Sequence, residues 1–346
     1  MEQPLRVINS AAPIRICDNG GWTDTWFAGH GQVFNVAVQP LAEVQIQVFP
    51  RAQRPSGERV IIHAENFGDR YAPALDGSGW GLHPLLEATI QRLGIPDDMA
   101  LEVSIFSQAP SGASTGTSAA VTVALIGALD RLTSGQLTPH EVAYLAHSVE
   151  VDTLGQQCGI QDQLCAAYGG INYIKILHYP QAVVSQLEVP DDVWWELERR
   201  LVLIYLGRSH SSSQVHEKVI RELENAGPAN RHLQDLRRAA ARSCDAVCAG
   251  DFQGLGQAMI ANTEAQGRLH PSLISTDAQH VIEIAREHGA LGWKVNGAGG
   301  EGGSLTLLCG QLSAARRAMI REIEQESELF RNIPIRLSRH GLHAWE

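Results

Sequence analysis

Gln108-Ala-Pro-Ser-Gly-Ala-Ser-Thr-Gly-Thr-Ser-Ala-Ala120 separates a strand-like run, Leu101 to Phe106, from an apolar helix-forming run, Ala119 to Leu129. Glycines and small hydroxyl residues fill the junction, so the backbone can turn and approach a ligand where larger side chains would clash. The helix that follows starts with unpaired amides and a partial positive charge. That arrangement suits an anion, and phosphate above all. A plain Gly/Ser turn with a helix cap fits the same residues, so the decision rests on segments elsewhere in the chain.

The 346 residues are 44% hydrophobic, enough for a large core and two lobes. A formal net charge of -11 and a sequence pI near 5.7 argue against nucleic acid as the main partner. An acidic chain that handles phosphorylated ligands needs local compensation from helix N-termini, a few cations or a metal. Cys17, Cys158, Cys165, Cys244, Cys248 and Cys309 contain no pair of CxxC motifs and read as reduced thiols. Cys244 and Cys248, one helical turn apart, read as helix packing. No basic-then-apolar segment opens the chain, and no apolar run is long enough to span a bilayer. The expectation is a soluble, cytoplasmic protein without a membrane partner.

Residues 5–17 have strand-like alternation and lead into Asn19-Gly-Gly-Trp-Thr-Asp24, a turn signal with Arg15, Asp18 and Asp24 around it. A surface hairpin with solvated charges is its plain reading. Val33 to Val38 and Ala42 to Phe49 read as paired strands, with Arg59 to His63 a third. Residues 68–81 read as loop, and Leu82 to Leu93 as a helix stopped by Gly94 and Pro96. Thr138-Pro-His-Glu141 sets a cap, a first-turn proline and a capping-box glutamate at the start of another helix, with Glu150 near its end. Gly170 to Ile176 reads as a strand, a composition shift over 181–192 as a lobe boundary, and Leu201 to Leu206 as a buried strand. A helical pattern covers about 214–266 with breaks near 226–230 and at Gly250. It returns over Thr276 to His288 and Leu312 to Gln325; Ser304 to Leu308 and Ile333 to Leu337 are the last strands. Strands that cluster instead of alternating with helices predict an α+β chain with antiparallel pairing.

Several phosphate-binding classes lack their context. There is no GxxxxGK[ST]. Gly297-Ala-Gly-Gly-Glu-Gly302 satisfies GxGxxG but precedes a strand instead of opening a helix. HRD and DFG are both absent. What remains is three segments in order: Arg15…Gly20-Gly-Trp-Thr-Asp24, Pro110-x-Gly-x-Ser-x-Gly-Thr-Ser-Ala-Ala120, and Lys294-Val-Asn-Gly-Ala-Gly-Gly-Glu-Gly-Gly303. Together they resemble the GHMP kinase superfamily over nearly the whole chain. Glu150…Cys158-Gly-Ile-Gln-Asp162-Gln is similar to the galactokinase arrangement. Gly20-Gly-Trp-Thr-Asp-Thr25 and Tyr168-Gly-Gly-Ile-Asn172 look more like fucokinases and heptose-phosphate kinases.

The resemblance implies a ribosomal-protein-S5-like N-terminal lobe over 1–185 and a ferredoxin-like C-terminal lobe over 186–346. It implies an ATP-dependent sugar kinase, with a heptose 7-phosphate or a fucose-like sugar as acceptor. Ser111, Gly112, Ala113, Ser114, Thr115, Gly116, Thr117 and Ser118 would hold the ATP phosphates, and Ser118 and Glu150 a Mg²⁺ ion. Asp162 would be the base and Arg15 its charge partner. Asp24, Trp22, Gly159 and Gly299 would meet the sugar. Lys294, a lysine leading into a loop, reads as solvated.

Three features depart from the family pattern. Ser114-Thr115 replaces Gly-Leu, Cys17-Asp-Asn19 replaces a more apolar run, and Glu301 puts a negative charge in the third loop. A phosphorylated sugar would need a further cationic pocket, from Arg208 with His210 or from Arg268 with His270. A homodimer is compatible with the resemblance. A non-catalytic sugar and nucleotide sensor on the same fold is the competing function, although it has no chemical need to keep Asp162, Arg15, Glu150 and Ser118 together.

Overall fold

Two long strands, β1 (Arg6–Asn19) and β2 (Gly31–Pro50), pair antiparallel from Arg6↔Val48 to Asn19↔Phe34 and form the spine of the protein. Ala42, Val44, Ile46 and Val48 point inward while Glu43 and Gln45 face solvent, the period-two pattern of a sheet wet on one side. The runs 33–38 and 42–49 do not pair with each other; they are successive halves of β2. Pro40, which has no N–H to give, falls at the register shift where Pro13 faces Leu41 and Ile14 faces Val38. The ladder is already interrupted there, so the proline does not end the strand.

The computed structural model describes residues 3–53, 58–133, 135–207 and 213–346. Next in the large sheet come β3 (Val60–Ala64), β4 (Asp69–Tyr71), β5 (Met99–Ser107), β6 (Ile171–His178) and β7 (Gln181–Gln186). β4 lies within the stretch 68–81 expected to be loop; three residues of ladder to β3 order it. The smaller sheet contains β8 (Leu201–Tyr205), β9 (Gly292–Val295), β10 (Ser304–Leu308) and β11 (Arg331–Ile333), in the order β11-β8-β10-β9, all antiparallel. The last strand expected over 333–337 divides in two. β11 stays with the small sheet, whereas β12 (Arg336–Leu337) and β13 (His343–Trp345) return to pair with β2 and β1.

The helices are α1 (Pro84–Leu93), α2 (Thr117–Asp130), α3 (Pro139–Ser148), α4 (Gln161–Tyr168) and α5 (Asp191–Arg200). After them come α6 (Ser213–Ala226), α7 (Arg231–Cys248), α8 (Phe252–Leu269), α9 (Thr276–Glu287) and α10 (Ser313–Glu326). The capping box at α3 forms as its sequence predicts: the Thr138 hydroxyl accepts from the Glu141 amide, and Glu141 accepts from the Thr138 amide at 2.7 Å. α2 is apolar almost all round and is buried against β1 and β2. α7 packs on the large sheet and α8 on β9, so this helical hairpin joins the two sheets. Trp22 and Phe27, after β1, pack with Val219, Leu223, Leu233 and Leu236 of α6 and α7. The N-terminal turn is therefore clamped between the lobes, not exposed as a surface hairpin.

Candidate active site

The stretch after β5 builds a loop that lines a cavity. Gly112, Ser114 and Gly116 adopt left-handed φ values of 76°, 56° and 70°. Such alternation turns successive amides toward one side and makes an anion-binding concavity. Gly116 is also the N-cap of α2 and contributes no side-chain hydrogen bond, so the first-turn amides have no local acceptor. Ser114 carries a β-carbon in a conformation that favours glycine. It is held there because its carbonyl accepts a hydrogen bond from Arg15 Nη1.

Arg15 is the centre of the arrangement. From buried β1, its Nε donates to Asp162 Oδ1 at 2.8 Å and its Nη2 to Asp162 Oδ2 at 3.1 Å, a two-pronged contact. Burial opposes the guanidinium charge, but Asp162 and Asp18 outweigh it and hold the group protonated far above neutral pH. Asp162 lies in the first turn of α4 and keeps 26% of its side-chain surface open, so a ligand can reach it. Gly116 passes close by: a β-carbon there would lie 3.1 Å from Asp162 Cγ.

Two cavities open on this pair. One, of about 740 Å³, runs along Gln108–Ser118 with Phe67 and His83 on its far wall. The other, of about 1010 Å³, is bounded by Trp22, Asp24, Trp26, Glu150, Gly159 and the α6 residues Glu224 and Arg221. Arg15, Ser118 and Asp162 line both. Asp24 is buried, and its Oδ2 accepts from the Gln161 amide at 3.1 Å; burial pushes its pKa up to about 6. A β-carbon at Gly159 would overlap that carboxylate, so glycine is required beside it. Glu150 occupies a π-helical turn, Val149–Thr153, that continues α3. Burial raises its pKa to about 7, against a 2.7 Å hydrogen bond from Gln163 Nε2.

Not every residue expected at the site is there. Gly299 turns away from both cavities and packs against the Leu273 carbonyl at φ 82°, while Gly297 and Ala298 line the cleft. Arg268 pairs with Asp235 and Glu264, and His270 Nδ1 pairs with the Ser272 hydroxyl, so neither supplies a cationic pocket to the cleft. Arg208 and His210 lie outside the described residues. Glu301 is exposed to solvent. Lys294 is the main reversal: it is 1% exposed, with Nζ 3.2 Å from Asp18 Oδ1 and 3.1 Å from Gln266 Oε1. Its place inside the third motif was the available signal. Trp26, Gln163 and the α6 residues also escaped the sequence reading. Gln163 alone carried a cue, as the residue following Asp162 in its motif.

Residues 84–170 match the GHMP kinases N terminal domain. A mevalonate kinase of Pyrococcus abyssi is 30% identical over 271 residues, covering 76% of this chain and 72% of that protein. The chain belongs to the GHMP kinase family. Another GHMP relative, the mevalonate kinase of Thermococcus sibiricus, is 36% identical over 207 residues, covering 58% of this chain and 57% of its own. A D-glycero-alpha-D-manno-heptose 7-phosphate kinase of Campylobacter jejuni is 24% identical over 204 residues, 59% of this chain and 60% of that protein. The chain thus spans less than two thirds of these two relatives. Among solved structures, a D-glycero-D-manno-heptose 1-phosphate kinase superposes with a TM-score of 0.74 at 20% identity, covering 98% of this chain and 99% of the other. The α+β architecture with two lobes is therefore the GHMP kinase fold. Among the described residues no helix is long and apolar enough to cross a membrane.

Proposed function

We propose that this GHMP kinase family member is an ATP-dependent sugar kinase that transfers the γ-phosphoryl group to a sugar hydroxyl. The observation that carries the proposal is the meeting of two cavities at Arg15, Ser118 and Asp162, a chamber for each substrate with the reacting groups between. The loop Ser111–Ser118 and the N-terminus of α2 bind the ATP phosphates through backbone amides. Asp162 accepts the proton of the attacking hydroxyl, and Arg15 orients that carboxylate and neutralises charge on the transferring group. Asp24 accepts hydrogen bonds from sugar hydroxyls, with Trp22 and Gly159 shaping the wall around it.

Ser118 and Glu150 both open on the larger cavity and offer hard oxygen donors. Among the described residues no group of three or more His, Cys, Asp or Glu could hold a metal. That sparse donor set fits Mg²⁺, which keeps several waters and takes phosphate oxygens as ligands. When bound, the ion would neutralise phosphate charge.

For the acceptor, the Campylobacter relative and the sugar-kinase motifs support the anomeric hydroxyl of a heptose 7-phosphate, or else a fucose-like sugar. The mevalonate kinases among the relatives make mevalonate the competitor to exclude. A nucleotide lobe over 1–185, a second lobe over 186–346, a cytoplasmic location and small-molecule partners alone belong to the same proposal; a homodimer is compatible with it. The test is ADP release with Mg²⁺ and a panel of fucose, galactose, heptose 7-phosphate and mevalonate. A sugar should exceed mevalonate in kcat/KM by about tenfold or more. Mevalonate as the best substrate would overturn the acceptor class, and binding without turnover on any compound would favour the sensor.

A further inference from the structure

Two further charges, Lys294 and Asp18, continue from the reacting pair in alternating sign and take no part in the proposed chemistry. Lys294 on β9 contacts Asp18 Oδ1 at 3.2 Å. Asp18 Oδ2 accepts from the Gly297 amide at 3.0 Å and lies 4.0 Å from Arg15 Nη2. Arg15 in turn grips Asp162. Asp18 is fully buried and Lys294 nearly so, which is costly unless each charge has a partner. Gln266 of α8 completes the set, accepting from Lys294 at 3.1 Å and donating to the Gly297 carbonyl at 3.1 Å. Both the amide and the carbonyl of Gly297 are thus tied down, the first by the large sheet and the second by α8. A β-carbon at Gly297 would lie 3.1 Å from Ser114 Cβ, so the position of this glycine also sets how the third loop seats on the phosphate loop.

We infer that Asp18, held by Lys294, is a positioning residue that fixes the Arg15 guanidinium and the Gly297 loop against the phosphate loop. Asp18 borders the larger cavity, but its two carboxylate oxygens are occupied by Lys294 and by the Gly297 amide. One carboxylate from the large sheet meets a cation and an amide from the smaller lobe, so it locks the two lobes at the point where they flank the transferring group. Arg15 then has a carboxylate on each side and cannot swing off Asp162 when a phosphate arrives. The kinetic arm of the test rests on the kinase proposal; the structural arm does not.

The test replaces the pair by apolar residues of similar volume, Asp18→Val with Lys294→Met, so that neither charge is left buried alone. Replacing buried ion pairs in this way is often neutral for stability. The double variant should keep a thermal midpoint close to that of the parent. Its kcat should fall about tenfold or more, while KM for ATP and for sugar stays within about threefold. Recovery of full kcat in the double variant would mean the pair serves folding only and would overturn the inference, as would a loss confined to KM. Hydrogen–deuterium exchange over 294–303 gives a readout without turnover. Exchange should rise in the double variant and remain unchanged elsewhere, and unaltered exchange in that segment would overturn the inference even if no acceptor sugar is found. Asp18→Asn alone is the second variant: it retains an acceptor for Gly297 but removes the charge beside Arg15. It should show the smaller rise in exchange of the two, and a rise equal to that of the double variant would count against the Gly297 tie.

Discussion

Asp162 combines a partly open carboxylate with a two-pronged arginine partner, a combination that holds a proposed base in place while leaving it within reach of a hydroxyl. Asp162→Asn should retain ATP binding and lower kcat by about a hundredfold or more, since general-base assistance is worth about 10² to 10⁴. Equilibrium nucleotide binding and steady-state ADP release check the two halves separately. Glu150 has the opposite character. Its folded pKa, about 7, lies above the ordinary value of 4.5 because burial disfavours the charge. The folded state then binds the proton more tightly than the unfolded one. The stabilisation from this carboxyl is full below about pH 4.5 and is lost as pH rises toward 7. Glu150→Gln, always neutral, should melt above the parent at pH 8, with the difference vanishing toward pH 4.5. Thermal melts of the two metal-free proteins across that range make the comparison.

At the scale of elements, the glycine-rich loop before α2 joins two demands that glycine alone meets at position 116. Gly116 needs φ 70° to start α2, and it needs bare space beside Asp162. Gly116→Ala should impose about 1–2 kcal/mol of backbone strain and push the carboxylate aside. The expected result is a higher KM for ATP together with a lower kcat, read from initial rates at varied ATP. Local elements of this kind were legible in the sequence. The Thr138 capping box, the stop of α1 at Gly94 and the breaks between α6, α7 and α8 depend on residues within a few positions of one another. Lys294 was misread for the converse reason. Its burial is decided by Asp18, 276 positions away in sequence, and nothing near residue 294 announces that partner.

For the whole molecule, the C-terminal strands matter more than their length implies. β13 pairs with β1, β12 pairs with β2, and Leu342 fills the space that Gly127 of α2 leaves open. Arg6 and Arg131 add contacts to Glu346 and to the Ala344 carbonyl. A chain ended at Ile335 should therefore melt well below the parent or fail to stay soluble, because it exposes one edge of β1 and the apolar flank of α2. Differential scanning fluorimetry beside the full chain decides it. The strands that complete the large sheet thus follow the small sheet along the chain.

Taken alone, the sequence determined the α+β class, the glycine-rich loop ahead of α2 and the family resemblance, and it supplied the proposed site set of Arg15, Asp162, Glu150 and Ser118. These follow from local turn chemistry, hydrophobic period and motif order, all of which act over short separations. Tertiary structure alone decided that 33–50 is a single strand, that the turn after β1 is buried between lobes, and that the chain's end returns to its first sheet. It also decided that Asp18 and Lys294 pair and that Glu301 faces solvent. Such outcomes depend on which distant groups share a low-dielectric interior, where an unpartnered charge is too costly to keep.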